Sequence, residues 1–276
     1  QMNDAIYDPH THKCYVLGAE MEENTISTLD TNGMSIVYLN SVDRKNLLHH
    51  NTFFSNDGEF YQFGGYYNHT YSSNILKYSD EEQRWDSVEF SGDKITPRFY
   101  SAVGEIYQDE VLVFGGFGNE TGRQEHVGHN LYDLYLLNLK NKTITNLWRF
   151  KEVPDMEFIP GNNLLISDDK RYFYALCYAH HIPSTVGYLY RFDIMNGSYD
   201  VMSDSIKLNS EDMNSSVNLY YNKQLNEFYA VVKEFSESNK TKINIYSLLT
   251  PPIKESQLGN YVYSRWIYLV FLFVVL

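Results

Sequence analysis

A short apolar segment recurs five times along the chain, and this repetition constrains the fold more than any other feature. The copies lie at 14–18, 60–65, 111–116, 173–177 and 228–232, and their equivalent positions are 46, 51, 62 and 55 residues apart. Each copy is preceded by a strand pattern and a tight polar turn, and is followed by a longer loop and a third strand pattern. A repeat with this spacing predicts an array of similar sheets.

A turn and a fourth, aromatic strand pattern complete the repeating unit, as at 80–85 in the second copy. This order of elements predicts one four-stranded antiparallel sheet per repeat, which is a propeller blade. Tyr, Phe and Trp make up 16% of the residues, a composition that favours strands. The predicted fold is therefore all-β, a β-propeller of about five visible blades within a larger ring. The predicted blades lie near 5–50, 51–96, 97–153, 157–207 and 213–250.

Two of the repeats carry a double glycine, in 63–65 and 114–116, and Tyr78 and Trp85 follow the first of them. This combination resembles the Kelch motif, in which glycine suits backbone that takes a positive φ or passes close to a neighbour. The last two repeats depart from it, with Cys177 and Val232 at the equivalent position. The resemblance implies a Kelch-type β-propeller over about residues 5–250.

The carboxyl end has a different composition from the repeats. A linker is predicted at 251–263, and an uncharged apolar run after Arg265 predicts that 264–276 begins a transmembrane helix. A complete span needs about 20 apolar residues, so the helix is interpreted as truncated. A buried terminal strand or a short core helix is the alternative. A propeller followed by one membrane helix resembles the membrane-anchored Kelch ectodomain regulators of the Bacteroidetes type. That resemblance implies a periplasmic or extracellular propeller.

Charge and cysteine content exclude some classes of function. The formal net charge of −13 repels a phosphate backbone, so no nucleic-acid partner is expected for this segment. Cys14 and Cys177 are too few for a disulfide scaffold. Six Asn-x-Ser/Thr sequences permit glycosylation in a secretory pathway but are equally expected by chance: Asn68, Asn119, Asn141, Asn196, Asn214 and Asn239.

The loops after the second strand of each blade are long, and they are predicted to share one end of the propeller with the segments between blades. Binding residues concentrate on loops that a rigid scaffold holds. Aromatic, Arg and His side chains in these loops suit stacking and hydrogen bonding to a protein or glycan ligand. The predicted ligand-binding residues are Tyr66, Tyr67, His69, Tyr71, Arg98, Tyr100, Arg123, His126, His129, His180 and His181. No cofactor and no metal are predicted.

The leading functional hypothesis is a non-enzymatic sensor or receptor ectodomain that is tethered to a membrane. An exported Kelch-type sugar-modifying enzyme, similar to an epimerase or lyase, and a structural adhesion propeller are the two alternatives. The sequence shows no convergent acid and base set for the enzyme. Cys14 and Cys177 lie in the recurring strands, where neither is placed for the crosslink that a copper radical oxidase needs.

Overall fold

The structure is a computed structural model, and its described residues form strands, turns and loops. It describes the backbone at 2–8, 13–19, 24–30 and 35–42, and then residues 52–257 except 57, 80, 83 and 236–240. Side chains are described within the second of these parts, apart from those at 53 and 203. The prediction of an all-β fold is confirmed. The helical structure described is a single 3-10 turn at Glu255–Gln257.

The first two sheets each contain four strands. The first has the order β1 to β4 and comprises β1 (Met2–Asp8), β2 (Lys13–Ala19), β3 (Asn24–Asp30) and β4 (Ser35–Val42). The second has the order β10-β9-β6-β5 and comprises β5 (Thr52–Asn56), β6 (Glu59–Phe63), β9 (Ile75–Ser79) and β10 (Arg84–Ser87). A separate hairpin, β7 (Tyr66–Tyr67) with β8 (Thr70–Tyr71), stands between β6 and β9.

The next three sheets continue the pattern of strands that follow one another. The third contains β11 (Ser91–Gly92), β12 (Arg98–Phe99), β13 (Ala102–Tyr107), β14 (Glu110–Gly118), β15 (His129–Asn138) and β16 (Thr143–Arg149). The fourth contains β17 (Ile159–Pro160), β18 (Leu165–Ile166), β19 (Tyr172–Tyr178), β20 (Thr185–Asp193) and β21 (Tyr199–Leu208). The fifth has three described strands, β22 (Ser216–Asn222), β23 (Glu227–Phe235) and β24 (Thr241–Leu248).

The first strands of successive sheets lie side by side around a common axis. Contacts run in sequence from β1 to β5, β13, β18 and β22. Backbone hydrogen bonds join them: Leu164 N donates to Val103 O at 2.9 Å, and Asn162 N donates to Val217 O at 2.9 Å. Separate small sheets whose first strands lie side by side in sequence order radiate like propeller blades. The predicted propeller arrangement is therefore confirmed.

Aromatic rings fill the space between neighbouring sheets. Phe114 of β14 lies 5.1 Å from Phe173 of β19 and 4.7 Å from Phe192 of β20, measured between ring centroids. All three side chains are fully buried. Aromatic pairs at these separations add to the free energy gained from burying their area. The third and fourth sheets are therefore packed tightly against each other, which also holds their loops close together.

Two segments differ from a simple succession of blades. Residues 91–92 fall within the predicted second blade, but β11 pairs in parallel with β16 of the third sheet. After β24 the chain returns to the fourth sheet, where Lys254 bridges to Met202 and its Nζ lies 2.8 Å from Asp200 Oδ1.

Among the described residues no helix is long and apolar enough to cross a membrane. The predicted membrane helix at 264–276 lies outside those residues, as does 258–263 of the predicted linker.

Candidate ligand-binding face

The long loops of the second to fifth sheets emerge at one end of the strands. Antiparallel strands alternate in direction, so every loop that follows a second strand leaves the same end of its sheet. We call the surface formed by these loops and the segments between sheets the long-loop face. It comprises the described residues of 64–74, 98–101, 117–130, 150–158, 178–187, 209–215 and 233–241. The tight hairpin turns, such as 222–226, lie at the opposite end.

The β7–β8 hairpin of the second sheet is fastened to the long loop of the third. Tyr71 N donates to Gly122 O at 2.7 Å, and Gln124 N donates to His69 O at 2.9 Å. The Gln124 side chain adds to this, because its Oε1 lies 2.8 Å from His69 Nδ1 and accepts a hydrogen bond from the Tyr66 hydroxyl. The two loops therefore form one surface, although they belong to different sheets.

The long loop of the third sheet is held in shape by Asn119. The Asn119 side chain is buried, and its Nδ2 donates to Arg123 O at 2.8 Å and to His126 O at 3.0 Å. Its Oδ1 accepts from Thr121 N at 3.1 Å and from Thr121 Oγ1 at 2.8 Å. Asparagine commonly bonds the backbone two residues on in this way. At this position the Asn-x-Thr sequence therefore builds the loop, and attachment of a glycan requires the loop to open.

A continuous aromatic cluster lies beneath the face and crosses three sheets. Its members are Tyr71, Phe99, Tyr100, Phe117, His180 and His181. Tyr71 stacks on Phe99 at 5.7 Å, and Phe99 contacts Tyr100 at 4.2 Å between ring centroids. His180 lies 5.0 Å from Phe117 and 4.6 Å from His181. Because these rings are packed against one another, they have few accessible rotamers and restrict the motion of the loops that carry them.

Two members of the cluster have unusual backbone conformations. Tyr100 has a φ of 64° and His181 a φ of 58°, in the left-handed region that bulky side chains rarely adopt. Burial raises the pKa of the Tyr100 hydroxyl, and the neighbouring Tyr178 adds to the rise. His181 is held by its backbone, because His181 N donates to Ser210 O at 2.9 Å. Strain that the surrounding structure maintains is typical of binding and catalytic sites.

His180 is a neutral imidazole in this environment. Burial, with the adjacent His181, lowers its pKa to about 4. Its Nε2 lies 3.2 Å from Asn130 Oδ1, and Asn130 Nδ2 donates to Glu157 Oε2 at 2.7 Å. The buried Nδ1 has no hydrogen-bond partner among the described residues. His180 therefore joins the third and fourth sheets through a neutral hydrogen bond.

We expect the imidazole of His180 to titrate near pH 4 in the folded protein, because the charged form is poorly solvated there. The unfolded chain binds this proton near the ordinary value of 6.5, so the free energy of unfolding should decrease as the pH falls from about 6.5 to 4. NMR titration of the histidine ring protons measures the pKa directly. The variant His180→Gln identifies the resonance and should flatten the pH dependence of stability in that window. A His180 pKa near 6.5 would contradict the burial of this ring.

Arg98 lies inside the protein and supports the face from below. Its side chain has no exposed surface, its Nη1 and Nη2 both donate to the Asp133 carboxylate, and its Nε donates to Thr96 O at 2.7 Å. Its backbone joins the second sheet, since Arg98 N donates to Ser72 O and Gly65 N donates to Arg98 O, both at 2.8 Å. Arg98 thus fixes the base of the β7–β8 hairpin.

The structure brings the eleven predicted binding residues to one end of the propeller but divides them by exposure. Six are exposed: Tyr67, His69, Arg123, His126, His129 and His181. Tyr66 and His180 are half-buried, and Tyr71, Arg98 and Tyr100 are buried. The side chains of Tyr71, Arg98 and Tyr100 are packed inside the protein, so a ligand cannot contact them in this structure. Three further residues of the face were not among the predicted binding residues: Phe99, Phe117 and Gln124.

No protein-family model matches the chain, and no curated protein matches it. Within the described residues no group of three or more His, Cys, Asp or Glu side chains is arranged to hold a metal ion. The geometry therefore defines a class of protein: a β-propeller in which hydrogen bonds join the loops at one end into a single surface.

Proposed function

We propose that the chain is a non-enzymatic binding module, a sensor or receptor ectodomain that captures a protein or glycan through the long-loop face. The observation that carries this proposal is the network that joins loops of different sheets into one surface. Hydrogen bonds connect 64–74 to 119–126, 130 to 157 and 180, and 181–182 to 210. A surface that is ordered before binding loses less conformational entropy when the ligand docks.

Exposed side chains give this face the chemistry for recognition. Tyr67 is 58% exposed, and the side chains of Arg123, His126 and His181 are also exposed. Tyrosine offers a large contact area at a small cost in conformational entropy, and arginine makes paired hydrogen bonds to carboxylates. These groups suit a protein surface or a sugar ring whose apolar face can stack.

We further propose that the blades are of the Kelch type. Gly64, Gly65, Gly115 and Gly116 all have positive φ, at 66°, 107°, 61° and 126°. The cross-strand register also supports equivalent positions: Trp85 pairs with Tyr78, Ile144 with Leu137 and Tyr199 with Phe192. Each pair lies where the fourth strand of its sheet begins. A membrane anchor at 264–276 is also part of the proposal and is supported by the apolar run after Arg265. The periplasmic or extracellular position of the propeller is supported by the resemblance alone.

The proposal is tested with the full chain against a glycan array and a displayed peptide library. For the best binder, the combined variant Tyr67→Ala, Arg123→Ala, His126→Ala and His181→Ala should weaken binding at least tenfold, because it removes the exposed groups of the face. The matched control, Lys223→Ala with Gln224→Ala and Leu225→Ala, changes exposed residues in a turn at the opposite end. It should bind like the wild type.

Two results would count against this proposal, and one control supports their interpretation. Equal binding by the face variant and the wild type would reject the long-loop face as the site. Chemical conversion of an array glycan by the wild-type chain would favour the sugar-modifying enzyme. Circular dichroism of both variants shows whether the fold is retained, so a loss of binding can be assigned to the altered side chains.

A further inference from the structure

A groove lies between the second and third sheets, outside the aromatic cluster. Its volume is about 610 Å³, within the range of about 300–1,000 Å³ that is common for ligand sites. The segment 87–97 between the two sheets forms one wall, and 73–75 at the end of the second sheet's long loop contributes to the other. Glu120 and Ile144 of the third sheet complete the lining. The groove is therefore a cleft between two blades.

The wall of the groove is fixed by backbone contacts with the third sheet. Ser91 N donates to Lys142 O at 2.9 Å, and Asp93 N donates to Ile144 O at 3.0 Å. Gly92 has a φ of 99°, and a Cβ at this position would lie 2.3 Å from Ile144 O. Only glycine allows the segment to approach β16 so closely. The groove is thus preformed, since its wall cannot move away without breaking these bonds.

The groove has an apolar floor and an acidic rim. Ile75 and Ile95 are buried in its floor, and Ile144 is half-buried beside them. The charged residues of the lining are Glu89, Asp93, Glu120 and Lys94, all exposed. Asp93 Oδ2 accepts from Asn146 N at 2.8 Å, and Glu120 Oε1 lies 3.7 Å from His129 Nε2. Three carboxylates face a single ammonium group, so the rim is negative.

We propose that this groove binds an extended segment of a partner protein in which Lys or Arg alternates with apolar residues. The apolar side chains would bury against the isoleucine floor, and the cations would pair with the rim carboxylates. Complementary charge accelerates association and selects the partner. The site differs from the long-loop face, because only Ser73, Asn74 and Glu120 belong to both, and none of the four residues changed in the face variant lines the groove. It therefore stands or fails independently of the function proposed above.

The probe is a fluorescein-labelled hexapeptide of alternating lysine and leucine, with the glutamate and leucine hexapeptide as its counterpart. Fluorescence anisotropy with the full chain should show saturable binding of the lysine peptide alone, weakened by added salt because charges at the surface are screened. The combined variant Glu89→Gln, Asp93→Asn and Glu120→Gln should raise the Kd at least tenfold. Ser87→Trp, which fills the groove without changing its charge, should also weaken binding.

A matched control removes three carboxylates elsewhere. Glu81→Gln, Glu152→Gln and Asp168→Asn change the net charge by the same amount at exposed positions outside the groove. This variant should keep the Kd within about twofold of the wild type. Equal weakening by the control and the groove variant would overturn the proposal, since attraction to the net charge then explains the binding. Unsaturable binding, or full binding by Ser87→Trp, would overturn it as well.

Discussion

Replacing Asp133 by alanine is expected to lower the free energy of unfolding by about 3–5 kcal/mol, because the change leaves the buried Arg98 charge without its partner. Both side chains have no exposed surface, and Arg98 Nη2 lies 3.0 Å from Asp133 Oδ2. Arg149 also loses a contact, since its Nη2 lies 3.2 Å from the same oxygen. Urea unfolding followed by tryptophan fluorescence measures the difference.

Two further variants show whether the buried charge is the cause. Glu59→Ala breaks the exposed contact with Lys77 and the hydrogen bond from the Tyr61 hydroxyl, and should cost about 1–2 kcal/mol. The double variant Arg98→Met with Asp133→Leu removes both buried charges and should be more stable than Asp133→Ala alone. If Asp133→Ala and Glu59→Ala unfold at the same urea concentration, then the Arg98–Asp133 pair does not support the fold as described.

The second large effect is expected from Gly116→Ala, which should destabilise the protein by roughly 2–5 kcal/mol through backbone strain and overpacking. Gly116 has a φ of 126°, and an added Cβ would lie 2.6 Å from Phe99 O. The backbone of 98–101 would have to shift, and it carries the centre of the aromatic cluster. Thermal unfolding and the near-UV circular dichroism of the aromatic residues report both consequences.

Gly122→Ala is the matched control for this prediction. Gly122 also has a positive φ, of 69°, but the nearest atom to an added Cβ is Tyr71 O at 3.2 Å. Gly122→Ala should lower the free energy of unfolding by about 1–2 kcal/mol, through backbone strain alone. Equal destabilisation by the two variants would show that close approach to Phe99 is not what requires glycine at 116.

The repeat made the propeller predictable because each copy places the same strand order in the chain. The double glycines at 64–65 and 115–116 also marked the points where the backbone takes positive φ. The place of 91–92 in the third sheet was not predictable. This segment pairs in parallel with β16, which is about fifty residues further along the chain. A local sequence pattern does not predict such a long-range pairing.

The candidate site was predictable as a region but not residue by residue. Loop lengths indicated which end of the propeller carries the long-loop face. The burial of Arg98 was not predictable, because its partner, Asp133, is 35 residues away and sequence alone does not reveal such a pair. Asn119 carried a readable signal, since Asn followed two residues later by Thr is also the pattern of a side-chain-stabilised turn. We interpreted the same residues as a glycosylation sequence, and so did not predict that Asn119 stabilises the loop.

The central claim is that loops from separate blades form one ordered face, and amide hydrogen exchange tests it most directly. The amides of Tyr71, Gln124 and His181 lie in loops but donate to backbone carbonyls of a different loop or segment. We expect them to exchange much more slowly than the amides of an unstructured peptide, and Asp133→Ala to accelerate the exchange at Tyr71. Exchange of all three at the unstructured rate in the wild-type protein would contradict the account.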